Sequence, residues 1–254
     1  MLCKWEELPQ NMQNDAVRPY YDSLQDKRFS LFLKAVFDRV VSLLMLIGLS
    51  PIFLLLAVMI KMDSPGEVFF RQERVTQYGK KFRIHKFRTM VKNAEALGTQ
   101  VTTKSDMRVT KVGKKLRGCR LDELPQLIDI LQGNMSFVGT RPEVTKYVEQ
   151  YTPEMLATLL LPAGVTSEAS IEYKDEERLL ADAQNADKTY VEVVLPQIDD
   201  AARDVGAVVS RSLEIRQQVG PDKACLDAAL ALLHPQDMSG TQLLLQIVDD
   251  LLQR

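Results

Sequence analysis

Two adjacent acids, Asp122 and Glu123, stand just ahead of Pro125 and a helical pattern running to Leu131. A carboxylate at the start of a helix is favoured in its ionised form, and the free backbone donors there can hold a phosphate beside it. An ionised aspartate can attack phosphorus, but attack of one anion on another needs neutralisation by a divalent cation or by basic side chains. Arg117, Arg120 and Arg141 lie close in sequence, and Lys86 and Arg88 form a second basic cluster. The chemistry this set could do is phosphoryl transfer. The local pattern alone also suits simple capping, with Asp122 as N-cap and Glu123 as a first-turn acid, because acids are common at helix starts.

Composition narrows the partners. The chain has 254 residues, 46% of them hydrophobic, enough to fill one large core or two small ones. Its formal net charge of -2 argues against a dedicated nucleic-acid binder. Basic residues dominate from Lys27 to Arg120 and acidic ones from about Glu143 onward, so an anionic partner should meet the first half. Cys3, Cys119 and Cys225 form no CxxC pair, which speaks against a disulfide framework or a zinc knuckle. The sequence contains no GxGxxG, P-loop lysine motif or HExxH, and His85 and His234 are its only histidines.

The elements that must position the acids follow from hydropathy. Val40 to Ile60 is an uncharged run of about 21 residues, the length a bilayer-spanning helix needs. Ser50 and Pro51 interrupt it, and proline removes a backbone donor, so the helix should bend or break there, with Ser50 placed to relieve the orphaned carbonyl. Both flanks are basic: Lys27, Arg28, Lys34 and Arg39 precede the run, and Lys61, Arg71 and Arg74 follow it. A simple span should show an asymmetry. The expectation is therefore a hairpin that enters and leaves on one face, with its helix starting near Phe29. Val68 to Val75 and Lys80 to Met90 read as strands paired across Tyr78-Gly79. Helical signals return at Val91 to Ala96, Val112 to Arg117 and Leu124 to Leu131. Amphipathic helices are expected at Ile198 to Gln218 and Thr241 to Arg254.

In order along the chain stand the Ser50-Pro51 apolar segment, SPGEVFFRQERV (Ser64 to Val75), HKFRTM (His85 to Met90), LDELPQL (Leu121 to Leu127) and GNMSFVGTRPE (Gly133 to Glu143). Over roughly Phe29 to Tyr190 this ordered set resembles the bacterial sugar transferases, the small monotopic polyprenyl-phosphate phosphoglycosyl transferases. The resemblance implies an α+β, mainly helical fold: a re-entrant membrane helix hairpin followed by a cytosolic catalytic domain with short β-strands. Its expected divisions are an extension at 1–28, the hairpin at 29–61, the catalytic domain at 62–195 and a helical extension at 196–254.

It also implies transfer of a sugar-1-phosphate from a UDP-sugar to undecaprenyl phosphate, with release of UMP, at the cytoplasmic face of the bacterial inner membrane. This step initiates polysaccharide or glycoconjugate assembly. Asp122 matches the nucleophile that forms an aspartyl phosphosugar, and Glu123 an assistant in metal or proton handling. Both acids are implied ligands of Mg2+, with Mn2+ as an alternative. Lys86, Arg88, Arg117, Arg141 and Pro142 match phosphate- and substrate-binding positions, and a homodimer is left open. Thr76, Arg120 and Thr140 depart from the pattern, as do Ser167 and Glu168, which leaves the donor sugar open. The competing expectation is a catalytically inactive, membrane-anchored lipid-binding or scaffolding protein.

Overall fold

The computed structural model describes residues 2–92, 94 and 106–166, a mixture of helix and strand about half helical rather than mainly so. After short 310 turns at Trp5–Glu7 and Gln10–Met12 come the helices α1 (Arg18–Gln25), α2 (Arg28–Gly48) and α3 (Ser50–Asp63). The strands β1 (Phe69–Val75) and β2 (Lys81–Phe87) follow, then α4 (Lys111–Gly118), α5 (Gln126–Leu131), β3 (Met135–Val138), α6 (Thr145–Val148) and β4 (Ala163–Thr166).

The first interruption falls where the proline requires it. α2 ends at Gly48 and α3 begins at Ser50, with a 63° bend between them at Leu49. Pro51 lies in the first turn of α3 and has no N–H for the carbonyl of Ile47, one helical turn back. The Ser50 hydroxyl donates to that oxygen at 2.8 Å. No single helix among the described residues is long and apolar enough to cross a membrane; α2 and α3 meet that test only as a bent pair.

Each helix of the pair buries one face and leaves apolar side chains outward as well. α2 turns Asp38, Val41, Ser42 and Met45 inward at helical spacing, onto α5 and β3. Asp38 accepts from Lys34 Nζ and from Ser136 Oγ, both at 2.7 Å, and Lys34 also contacts Ser136. The outward face carries Phe29, Val40, Leu44 and Ile47, with Leu54 and Met62 exposed on α3.

Behind these helices, β1 and β2 pair antiparallel from Phe69 opposite Phe87 to Val75 opposite Lys81, as the alternation predicts. Tyr78 and Gly79 both take positive φ in the connecting turn. β3 and β4 pair in parallel, Ser136 opposite Gly164. A Cβ added at Gly164 would lie 2.2 Å from the Gly139 nitrogen, so only glycine allows this approach. Thr76 holds the two sheets together, its hydroxyl donating to Asn134 O at 2.6 Å and accepting from Ala163 N at 3.1 Å. Its backbone is extended, a conformation any residue adopts without strain.

Among the described residues, three apolar clusters fill the interior. Leu2, Leu8, Met12, Tyr21 and Leu24 pack with Val75, Leu156 and Leu160, so the segment read as an N-terminal extension shares a core with the domain that follows. Leu56 and Ile60 of α3 pack on Phe87, Leu116, Leu121 and Leu124. Val41 and Met45 of α2 pack on Phe82, Ile84, Leu127 and Ile130. The helical signal at Val91 to Ala96 gives way at its start to a bridge of Met90 with Val109, and most of that stretch lies outside the described residues. So do Ser167, Glu168 and the helices expected beyond Pro196.

Candidate active site

The acids stand in a 310 turn, Leu121–Glu123, not at the capped start of a helix. Arg120 enters it with φ +53°, uncommon for a side chain without an Asn or Gly character. Leu121 and Leu124 anchor the turn in the core beneath α3. Leu124 and Pro125 keep right-handed helical dihedrals, so the turn leads into α5 without a break in helical direction. Pro125 holds the N-cap position and no side chain caps α5; Asp122 is therefore no N-cap.

β2 brings the partner lysine. Strand alternation sends Ile84 and Lys86 to one face and His85 to the other. On that other face the buried Asp129 of α5 accepts from His85 N and lies against its ring Nδ1, both at 2.8 Å. Burial pushes the Asp129 carboxyl up, although its bonds to His85 oppose this. This pairing fixes α5 across β2, and Lys86 then reaches Glu123 Oε1 at 2.7 Å. Arg120 Nη1 stands 3.9 Å from the other Glu123 oxygen.

The two acids consequently differ. Burial acts on Glu123 to raise its pKa, but the charges of Lys86 and Arg141, the Lys86 hydrogen bond and Arg120 outweigh it and hold it at about 2. A carboxyl held so low has no proton to give as a general acid at neutral pH. At Asp122 burial prevails: with Glu123 adding to it, and Lys86 and Arg117 opposing, the pKa rises to about 6. The helix-start expectation of a fully ionised Asp122 is thus modified, because desolvation is the larger effect. Among the described residues Asp122 makes no hydrogen bond or ion pair with another side chain.

Next to the pair lies a shallow cleft lined by Arg74, Ile84, Lys86, Glu123, Gln126, Arg141, Pro142, Gly164 and Val165. Lys86, Arg141 and Pro142, three of the expected binding residues, meet there. Asp122 does not line it, but adjoins it through Glu123. Arg117 is near enough to act on Asp122, with its Nε donating to Thr89 Oγ1 at 2.8 Å. Arg88 goes elsewhere: its guanidinium donates to Ser64 O at 2.7 Å and Pro65 O at 2.9 Å, and is buried at the end of α3. The structure gives Arg88 the closing of the α3 C-terminus and does not bring it into the cleft. Two lining residues, Arg74 and Gln126, escaped the sequence reading. Both sit inside the motifs quoted above, where charge alone separates neither from a surface residue. Arg74 donates to Pro142 O at 3.1 Å and to Gln72 Oε1 at 2.8 Å, which ties the Arg141-Pro142 loop to β1.

Comparison with known proteins bears directly on this arrangement. The family described as bacterial sugar transferase matches residues 29–200. The chain belongs to that family. Its likeness to individual members is substantial but partial. It is 44% identical over 124 residues to a UDP-N-acetylgalactosamine-undecaprenyl-phosphate N-acetylgalactosaminephosphotransferase of Aeromonas hydrophila, covering 49% of this chain and 29% of that protein. It is 39% identical over 166 residues to the UDP-glucose:undecaprenyl-phosphate glucose-1-phosphate transferase of Escherichia coli, covering 64% and 35%. With a Bacillus subtilis protein named as a putative undecaprenyl-phosphate N-acetylgalactosaminyl 1-phosphate transferase it shares 38% over 125 residues, 49% of this chain and 70% of that one. The chain thus spans about a third of the first two and more than two thirds of the third.

Proposed function

We propose that this bacterial sugar transferase moves a sugar-1-phosphate from a UDP-sugar to undecaprenyl phosphate, with Asp122 as nucleophile. The observation that carries the reading is the unequal acid pair beside a cationic cleft: Glu123 is committed to Lys86, while Asp122 is not. In the first step an Asp122 carboxylate oxygen forms a bond to the sugar-bearing phosphorus. The bond from that phosphorus to the oxygen bridging the two phosphates breaks, and its electron pair leaves on UMP. In the second step an oxygen of undecaprenyl phosphate attacks the same phosphorus, the bond to Asp122 breaks, and the carboxylate is restored. Lys86, Arg117 and Arg141 supply the positive charge that attack on an anion requires.

The donor set suits the implied divalent cation. Asp122 and Glu123 offer hard carboxylate oxygens, and Mg2+ is commonly held by one or two carboxylates together with substrate phosphates and water. Bound there, Mg2+ or Mn2+ would neutralise charge on the diphosphate.

We further propose that α2 and α3 form a re-entrant hairpin at the cytoplasmic face of the inner membrane. Its support is the outward apolar face and the bend at Leu49 with basic residues at both ends. Assembly of polysaccharide or glycoconjugate would begin with the lipid-linked product.

The test is a panel of UDP-sugars given to purified protein. Donor alone should release up to one equivalent of UMP per site before undecaprenyl phosphate is added, and Asp122→Asn should release none. Release strictly dependent on the lipid would favour a ternary complex. An unaltered Asp122→Asn variant, or no release from any donor, would favour an inactive lipid-binding or scaffolding protein.

A further inference from the structure

Two kinds of contact join α2 to the rest of the protein. Val41 and Met45 pack on Phe82, Ile84, Leu127 and Ile130. Such apolar contact is non-directional, so alone it leaves a helix able to roll or slide by small amounts. The second kind is polar and directional. Asp38 lies on the inward face of α2, 6% exposed, and takes its bonds from Lys34 on its own helix and from Ser136 on β3, itself 4% exposed. Arg39 adds to the grip, since a Cβ at Gly133, ahead of β3, would lie 2.4 Å from its Nη2.

No step of the reaction above uses Lys34, Asp38 or Ser136. A buried ion pair gives little net stability over apolar residues of the same volume, because desolvation offsets the attraction. What it gives is one geometry, because any other leaves a charge buried and unpaired. β3 does not need this bond to stay in place: it pairs with β4, and the Thr76 hydroxyl holds Asn134 O just before it. The helix does need it. At the other end of the pair, α3 is tied by Asp63, which accepts from Val112 N at 2.9 Å, and by Arg88. Asp38 is the matching tie for α2, and with both ends held the bend at Leu49 keeps one attitude to the catalytic residues.

We propose that Asp38, held between Lys34 and Ser136, is a positioning residue that fixes the pitch of the α2 and α3 hairpin, and with it the reach of Asp122 to a lipid-borne phosphate. This rests on the transferase and hairpin readings above. A hairpin free to pivot holds the site at several depths, and reaction with a phosphate confined to one depth slows accordingly.

The experiment uses the full chain and two variants. Ser136→Ala removes only the bond from the strand and keeps the pair within the helix. Lys34→Met, Asp38→Leu and Ser136→Ala together leave no buried charge, and melting curves identify any variant that fails to fold. Three rates are measured: UMP release from soluble donor, transfer to undecaprenyl phosphate in vesicles, and transfer to a short-chain, water-soluble polyprenyl phosphate. Transfer in vesicles should fall about tenfold or more in the triple variant and less in Ser136→Ala, while the other two rates stay within about threefold of wild type. Equal loss of all three rates in a folded variant would assign the cluster to general stability and overturn the inference. Loss with both acceptors alike would place its effect at the acceptor site, and unchanged transfer in both folded variants would show that nothing is positioned; either overturns it. A wild type that releases UMP from no donor would end the transferase reading, and one that does not float with vesicles would end the hairpin reading; the inference falls with either.

Discussion

Asp122 and Glu123 are neighbours in sequence, yet the fold separates their chemistry by giving the lysine to only one. With the Asp122 pKa at about 6, the attacking carboxylate is depleted in acid, so the first-step rate should climb with pH and level off above about 6. A rapid-quench pH profile checks this; a rate flat down to pH 5 would contradict it. Lys86 lowers the pKa of both acids, so Lys86→Met should move the acid limb to higher pH as well as slow the reaction. The same shift has a consequence for stability. A carboxyl raised in the folded state binds more protons folded than unfolded, so stability falls as pH rises from about 4 to about 6 and stays lowered above that. Asp122→Asn should therefore melt a few degrees higher than wild type at pH 7.5 while losing turnover, a gain of roughly 1–2 kcal/mol after allowing for solvent screening. Calorimetry at pH 4 and pH 7.5 measures it, and the gain should nearly vanish at the lower value.

At the level of elements, the site depends on two junctions. The first is the contact of Gly139 with Gly164, where β4 is brought against the loop that carries Arg141. Gly164→Ala forces a Cβ against backbone and should cost at least 2–3 kcal/mol, an overpacking that no side-chain movement can relieve. Denaturant unfolding reads this directly; a loss under about 0.5 kcal/mol would mean the strands separate easily. The second is the break between α2 and α3. Leucine at both Ser50 and Pro51 restores the missing N–H and makes the orphaned Ile47 carbonyl an ordinary helical acceptor. One continuous apolar helix then becomes long enough to span. A cysteine placed before Lys27, in a background without Cys3, should become partly reachable by an impermeant label from the periplasm, and activity should fall. If the wild-type N-terminus is already labelled from that side, the hairpin is wrong.

For the molecule as a whole, the proposed hairpin and the candidate active site share one framework. Asp63 of α3 accepts from Val112 N of α4 at 2.9 Å, and Arg88 closes the end of α3 from beyond β2. α3 also shares its core with Leu121 and Leu124. In the proposed hairpin arrangement, the depth of α2 and α3 would set the height of Asp122 above the lipid. Lysine at both Leu44 and Ile47, which face outward, should release the protein from anionic vesicles in a flotation assay while UMP release from soluble donor persists. Transfer to vesicle-borne undecaprenyl phosphate should fall much further than that first step. Equal loss of both would show that those residues support the fold and not the attachment.

The sequence by itself determined the local features. Chain stiffness at Pro51, strand alternation before and after Tyr78-Gly79, and the ordered motifs around Asp122 are properties of short segments, legible because their causes lie within a few residues. The outward apolar face of α2 was legible in part, as an uncharged run. What only the tertiary structure decided is how distant residues divide the work. Lys86 and Arg88 are two positions apart on or beside one strand, and only the packed chain shows that Lys86 meets Glu123 while Arg88 closes a helix. Asp122 and Glu123 look interchangeable in the motif, and burial against the position of one ammonium raises the pKa of one and lowers that of the other. Gln126 carries no charge that marks it; its place in the lining of a cleft assembled from β1, β2, α5 and β4 appears only once those elements are packed together. Desolvation and pairing across long sequence separations are collective effects of packing, and no local spacing encodes their outcome.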